Sequence, residues 1–204
     1  MSKSLDSKRE RRFRGKKSRV HRTRLLATVV VILLVVSLVT VYVLKPGSQS
    51  SVGSNRILLV TTMGNITIQL YDDMPITAGN FKNLTQFGIY DGTLFHRVAT
   101  SPAVIQGGDA GPKGIVVPTI PDELPNKHRN VRGSVAMAKT SSPNSASSQF
   151  YINVNDNLYL DSNYSVFGKV ISGMEVVDTI KNVPVDSNDR PLQDVTILIA
   201  VLVD

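Results

Sequence analysis

Three side chains of this sequence could act together without exchanging a proton: Arg97, Gln106 and Gln149, all on predicted strands. A guanidinium stays protonated at neutral pH and amide side chains do not titrate, so the set suits a reaction that needs only orientation and hydrogen bonding. Rotation about an Xaa-Pro peptide bond is such a reaction, because its barrier of roughly 18–20 kcal/mol comes from amide resonance. A donor aimed at the prolyl nitrogen would favour the twisted amide. Taken alone, Arg97 also fits an ordinary surface arginine.

Other catalytic sites find little support. The chain has no cysteine, and its three histidines are His21, His96 and His128, so thiolate nucleophiles and thiolate metal sites are excluded. No Gly-x-Ser-x-Gly motif is present. The stretch GDAGPKG lacks the residue order of a phosphate-binding loop, and NVNDNLYLDSN lacks the turn glycine and closing glutamate of a calcium loop. We therefore expect neither a metal nor an organic cofactor.

The positive charge is confined to one end of the chain. The net charge is +7, but residues 1–24 hold eleven basic and two acidic residues, which leaves a net charge of −2 for the remainder. This distribution argues against a basic nucleic-acid-binding domain. The tail is interpreted as a topogenic charge cluster, with a sorting signal or contact with acidic lipids as the alternative.

Residues 25–44 form an uncharged apolar run of 20 residues, long enough to cross a hydrocarbon core about 30 Å thick. A secretory signal peptide is the nearest alternative, but its apolar region is usually about 7–15 residues long and ends near a small-x-small cleavage site. The positive-inside rule places residues 1–24 in the cytosol and residues 45–204 in a lumen or outside the cell. The span of 20 residues suits the thinner membranes of the early secretory pathway, so we expect a single-pass type II protein of the Golgi or the endoplasmic reticulum.

Three N-glycosylation sequons follow the predicted span, at Asn65, Asn83 and Asn163. They fit a lumenal chain.

Residues 45–55 are rich in serine and glycine and are predicted to be a flexible tether. Residues 56–204 are long enough to form one domain with a substantial core.

Apolar periodicity predicts a mainly β domain. Alternating patterns predict eight strands, in ILLVTT, NITIQLY, LFHRV, VIQ, GSVAMAK, QFYINV, YSVFGKVI and VTILIAVLV. Helical spacing predicts two helices, one with Ile76, Phe81, Leu84 and Phe87 on its apolar face, the other in GMEVVDTIKNV. Many antiparallel strands with two short helices indicate a β-barrel or a sandwich.

The segments FHRV, VIQGGD, GSVAMAK, SSQFYI and VFGKVISGMEVVDTI together resemble the cyclophilin family of peptidyl-prolyl isomerases, in the family's order, from Ile57 to Val203. The resemblance implies an eight-stranded antiparallel barrel capped by two helices, with a peptide groove on its outer face. It places the catalytic arginine at Arg97. It places the peptide-binding residues at Gln106, Gln149, Ala138, Tyr151 and Leu160. The layout with a membrane anchor is similar to that of plant cyclophilins of the secretory pathway.

The sequence departs from the family pattern around the expected proline pocket. Ala103 and Val104 stand where the family has Phe-Met, Tyr159 replaces a tryptophan, Tyr164 replaces a histidine and Tyr151 replaces a phenylalanine. With alanine instead of phenylalanine at position 103, the pocket is expected to lose about 1.5–3 kcal/mol of binding free energy. That loss corresponds to roughly ten- to a hundredfold in substrate affinity. The hydroxyl of Tyr151 needs a hydrogen-bond partner if it is buried.

Three functions follow from this resemblance. The first is a membrane-anchored prolyl isomerase that assists the folding or maturation of secretory proteins. The second is a module that binds proline-containing peptides with little turnover, and the third is a scaffold for other resident proteins. The expected partners are proline-containing segments of client proteins and the membrane, through residues 25–44. We expect a monomer and no contact with nucleic acid.

Overall fold

Nine strands and two α-helices form the domain, in a computed structural model that describes residues 55–125 and 127–204. The strands are β1 (Arg56–Thr61), β2 (Gly64–Leu70), β3 (Thr93–Leu94), β4 (Arg97–Thr100), β5 (Ala103–Gly107), β6 (Ser134–Met137), β7 (Phe150–Asn153), β8 (Val166–Ser172) and β9 (Thr196–Val203). The helices are α1 (Thr77–Gln86) and α2 (Met174–Lys181), and two short 3-10 helices cover Gly111–Lys113 and Leu158–Leu160.

Within the described ranges, neither helix is long and apolar enough to cross a membrane. The predicted tail (residues 1–24), the predicted span (25–44) and all of the predicted tether except Asn55 lie outside those ranges.

All nine strands belong to one sheet in the order β3-β9-β1-β2-β8-β6-β7-β5-β4, and every neighbouring pair is antiparallel. The two ends of this order, β3 and β4, are separated by only Phe95 and His96 in the chain, so the sheet curls strongly and brings its two ends close together. No ladder joins β3 to β4 within the described residues, and the result is a curled half-barrel.

The predicted mainly β architecture with two helices is confirmed, but the expected eight-stranded barrel is a curled half-barrel of nine strands. The stretch Leu94–Val98 was predicted as one strand, but it divides between two partners. Thr93 and Leu94 pair with β9, whereas β4 pairs with β5. The Phe95 N–H group donates to the carbonyl of Val195, just before β9, at 2.8 Å. The chain therefore stays beside β9 as far as Phe95 and changes partner between Phe95 and β4.

The segment β4-β5-β7-β6 has a strict division between its two faces because side chains alternate along each strand. Val98, Ile105, Ile152 and Val135 lie directly opposite one another in neighbouring strands and belong to the main core. The next row consists of Arg97, Gln106, Tyr151 and Ala136, which therefore point to the outer face.

Both helices pack their apolar side chains against the main core. In α1, Phe81 and Leu84 are buried as predicted, and the ring of Phe81 lies within 5.0 Å of those of Tyr90, Phe150 and Phe167. Ile76 and Phe87, predicted on the same face, are 40% and 79% exposed because they flank the helix rather than belong to it.

The N-terminus of α1 is capped from a distant loop. The Glu123 carboxylate accepts hydrogen bonds from the backbone N–H groups of Ile76 and Thr77, at 3.1 and 2.8 Å, and from the Thr77 hydroxyl at 2.6 Å. A carboxylate at this position satisfies free N–H groups and complements the helix dipole. The loop before β6 is thereby fixed to the helix.

Candidate active site

A pocket of about 140 Å³ opens on the outer face of β5 and β7. We call it the outer pocket, and its lining consists of Arg97, Pro102, Val104, Gln106, Ala138, Lys139, Tyr151, Leu160 and Tyr164. The structure thus brings together seven of the residues predicted for the site. Pro102 and Lys139 were not predicted, although each is the chain neighbour of a predicted residue.

The polar edge of the outer pocket follows from strand register. Arg97 lies opposite Gln106, and Gln106 lies opposite Tyr151, so the three side chains form one row across β4, β5 and β7. Gln149, just before β7, accepts a hydrogen bond from the Gln106 amide, with Nε2 and Oε1 at 2.9 Å. Gln149 is not part of the lining and instead fixes the orientation of Gln106.

The floor of the outer pocket is a small apolar cluster that is separate from the main core. Ala99, Val104, Ala136, Ala138, Tyr151 and Val166 form it. Leu160 and Tyr164 pack against this cluster, and the rings of Tyr151 and Tyr164 meet edge to face with centroids 5.8 Å apart. Because these side chains point away from the main core, the floor can hold an apolar ring such as that of proline.

The hydroxyl of Tyr151 has the partner that its burial requires. It donates to Oδ1 of the fully buried Asn130 at 2.7 Å. Asp161 Oδ1 accepts hydrogen bonds from the Asn130 backbone N–H and side-chain amide, at 2.7 and 3.0 Å. Burial raises the pKa of Tyr151 far above its usual value, and nearby Tyr164 and Asp161 add to this shift. Tyr151 therefore stays a neutral donor.

Besides Gln149, two further predicted residues, Ala103 and Tyr159, lie outside the lining. Ala103 alternates with Val104 along β5 and so points to the opposite face, where it joins the main core at 8% exposure. The absence of a large side chain at Ala103 therefore changes the core rather than the pocket wall. Tyr159 is 64% exposed, with its hydroxyl oxygen 3.5 Å from Asn157 Oδ1.

Charged groups border the outer pocket on two sides. Arg97 is ion-paired with Asp189, with Nη2 and Oδ2 at 3.2 Å. Lys139 is ion-paired with Asp122 at 2.6 Å, and both of these side chains are mostly buried. Neither aspartate was predicted, because both lie in loops without a local sequence signal.

The three sequon asparagines are all exposed. Asn65 lies on β2, Asn83 lies on α1, and Asn163 follows the second 3-10 helix, immediately before Tyr164 of the outer pocket. Across residues 55–125 and 127–204, no group of three histidine or acidic side chains has the arrangement of a metal site.

Comparison with known proteins agrees with this geometry. The family model for the cyclophilin type peptidyl-prolyl cis-trans isomerase matches residues 56–201. The peptidyl-prolyl cis-trans isomerase of Acinetobacter baylyi is 45% identical over 147 residues, which cover 67% of this chain and 77% of that protein. Isomerase B of Escherichia coli is 40% identical over 154 residues, covering 67% and 93%.

A solved structure shares the fold at similar coverage. The cyclophilin type isomerase of Cryptosporidium parvum, crystallised in the presence of the dipeptide Ala-Pro, matches with a TM-score of 0.67 and 29% identity. The match covers 73% of this chain and 99% of that one. The extent of the family match and the identity to several isomerases establish both family and enzyme class: this chain belongs to the cyclophilin-type peptidyl-prolyl cis-trans isomerases.

Proposed function

We propose that the outer pocket binds a proline-containing segment and that Arg97 catalyses rotation of its Xaa-Pro bond. The observation that carries this proposal is the register that aligns Arg97, Gln106 and Tyr151 in one row. The guanidinium of Arg97, the amide of Gln106 and the ring of Tyr151 are thus held by a rigid sheet and face the same bound substrate. Such preorganisation lets hydrogen-bond donors act on the transition state without rearranging.

The chemistry needs no proton transfer. The proline ring rests on Tyr151 and Val104, and the Gln106 amide, held by Gln149, fixes the substrate backbone. As the amide twists, the lone pair of the prolyl nitrogen becomes localised and can accept a hydrogen bond from the Arg97 guanidinium. That interaction is stronger in the twisted state than in either planar state, so it lowers the barrier.

A second candidate function is binding of proline-containing peptides with little turnover. The altered apolar floor favours it, because Tyr151 and Tyr164 line the outer pocket where the family pattern has a phenylalanine and a histidine. The two candidates differ in rate and not in affinity.

Isomerisation of an Xaa-Pro test peptide by the full chain decides between them. Arg97→Ala should lower kcat/KM by about a hundredfold, the lower limit for removal of one transition-state donor. Arg132→Ala is the matched control, since Arg132 is also paired with an aspartate (Asp178) but lies outside the outer pocket. Peptide binding without rate enhancement, or equal rates for wild type and Arg97→Ala, would reject the arginine mechanism.

We also propose that residues 25–44 anchor the protein in a membrane of the secretory pathway, with the enzyme domain in the lumen and secretory proteins as its clients. The uncharged run, the basic residues before it and the exposed sequon asparagines support this proposal. In microsomes, residues 45–204 should be protected from added protease, and an N-glycosidase should increase the gel mobility of the chain. Digestion of the domain in sealed vesicles would reject the lumenal location.

A further inference from the structure

The loop Asp186–Arg190 has a conformation that is fixed by its own hydrogen bonds. Asp186 Oδ1 accepts from the backbone N–H groups of Asn188 and Arg190, at 2.8 and 3.0 Å. The Asp186 N–H group donates to the Arg190 carbonyl at 2.8 Å and so closes the turn. Asp189 has a φ of 63° in this turn, a left-handed conformation that aspartate and asparagine tolerate better than most residues. The loop therefore presents the Asp189 carboxylate at a fixed position.

That position is next to Arg97, and two contacts hold it there. The Asp189 carbonyl accepts a hydrogen bond from the Val98 N–H group at 2.7 Å. The Asp189 carboxylate accepts one from Arg97 Nη2 at 3.2 Å. Because β4 stands at one end of the strand order, its outer edge pairs with no other strand of the described residues, and the loop binds this edge beside Arg97.

Asp189 leaves most of the guanidinium available. Arg97 has five N–H donors, and the bond from Nη2 to Asp189 is the one side-chain hydrogen bond of its guanidinium among residues 55–125 and 127–204. The guanidinium is thus held at one nitrogen while Nε and Nη1 remain for a ligand in the outer pocket. The two side chains are 34% and 39% exposed, and ion pairs of this exposure contribute little to folding.

We infer that Asp189 is a positioning residue for isomerisation: it fixes Arg97 so that the remaining donors meet the prolyl nitrogen. This inference rests on the proposed role of Arg97. It predicts that loss of the carboxylate lowers kcat, because a mobile guanidinium meets the twisted amide less often. KM should change little, because Asp189 does not line the outer pocket.

Two variants of the full chain separate the carboxylate from the loop conformation. Asp189→Gly removes the side chain and tolerates the left-handed backbone. Asp189→Asn keeps an acceptor oxygen and a tolerated conformation but loses the charge. Asp194→Asn is the matched control, since Asp194 is an exposed carboxylate near the same loop, 3.8 Å from Arg190. We expect kcat to fall about tenfold in Asp189→Gly and roughly threefold in Asp189→Asn, as for loss of a hydrogen bond to a charged group. The KM of both variants, and both constants of Asp194→Asn, should stay unchanged.

A double-mutant cycle tests whether the effect passes through Arg97. In an Arg97→Ala background, Asp189→Gly should have no further effect on kcat. An equal loss with and without Arg97, or a rise in KM alone, would overturn the positioning role. If Asp189→Gly does not fold, the same cycle with Asp189→Asn shows whether the effect of Asp189 on kcat passes through Arg97.

The outcomes also separate this inference from the proposal on which it rests. If Arg97→Ala lowers the rate but both Asp189 variants retain full kcat, the positioning role is wrong and the arginine mechanism stands. If Arg97→Ala itself leaves the rate unchanged, the arginine mechanism is wrong, whatever the Asp189 variants do.

Discussion

The two faces of β4-β5-β7-β6 use the same backbone for opposite purposes. On the inner face, Ile105, Ile152 and Val135 are fully buried and interact by packing alone. On the outer face, Arg97 and Gln106 are partly exposed and each has a side-chain hydrogen-bond partner. Stability should therefore depend on the inner face and catalysis on the outer one. The following variants test that division and the hydrogen bonds that support Tyr151 of the outer face.

The largest effect is expected for Ile152→Ala on the inner face. Removing a fully buried isoleucine leaves a cavity, so the free energy of unfolding should fall by about 3 kcal/mol. Ile199→Ala is the control, because Ile199 lies on β9 with 47% exposure and should change stability by less than about 0.5 kcal/mol. Denaturant unfolding measures both, and equal losses would mean that burial on the inner face does not determine stability.

Asp161→Asn should have the next largest effect and should depend on pH. Burial raises the pKa of Asp161, but the hydrogen bonds from Asn130 and Arg129 outweigh burial, and the pKa lies below its usual value. The carboxylate then stabilises the fold fully above the unfolded-state pKa of about 3.9, and this stabilisation is lost as the pH falls through the folded-state pKa.

At pH 7 the loss should be about 1.5 kcal/mol, the lower limit for a hydrogen bond to a charged group. Unfolding of wild type and Asp161→Asn between pH 7 and pH 3 should show the difference shrinking at the acid end. A difference that is independent of pH would mean that the charge of Asp161 is not what supports Asn130.

Gln106→Ala should act on substrate binding. The amide holds the substrate backbone in the proposed mechanism, so its loss should raise KM roughly fivefold, about the value of one hydrogen bond. Gln86→Ala is the control because Gln86 is exposed at the end of α1. A fall in kcat with an unchanged KM would instead place Gln106 in the rate-determining rotation.

The smallest effect is expected for Tyr151→Phe. The variant loses the hydrogen bond to Asn130, but Asn130 Oδ1 keeps Asn153 Nδ2 as a second partner at 3.2 Å. Stability should therefore fall by only about 0.5–1 kcal/mol, and KM should stay within about twofold. A loss well above this range would show that the hydroxyl also organises the floor of the outer pocket.

Apolar alternation predicted most of the strands, whereas most of the outer pocket was predicted from the resemblance to the cyclophilin family. Ala103 was expected in the pocket beside Val104, but alternation along β5 puts only Val104 on the same face as Gln106. The pairing of Gln106 with Arg97 in the structure decides this orientation.

The supporting residues were not predictable for a different reason. Asp189 reaches Arg97 across 92 positions of the chain, and Asn130 reaches Tyr151 across 21. Both lie in loops, where no periodic pattern indicates which distant side chain they contact. Such contacts depend on the tertiary arrangement alone.

The sheet also ends in a way that guards against aggregation. A long, open edge strand can pair with an extended peptide or with a second copy of the chain, which then joins the sheet as a further strand. Here one end is β3, only two residues long, and the other is β4, whose Val98 N–H group is already taken by Asp189. Within the described residues, neither end of the sheet therefore presents a long free edge with which a second chain could pair.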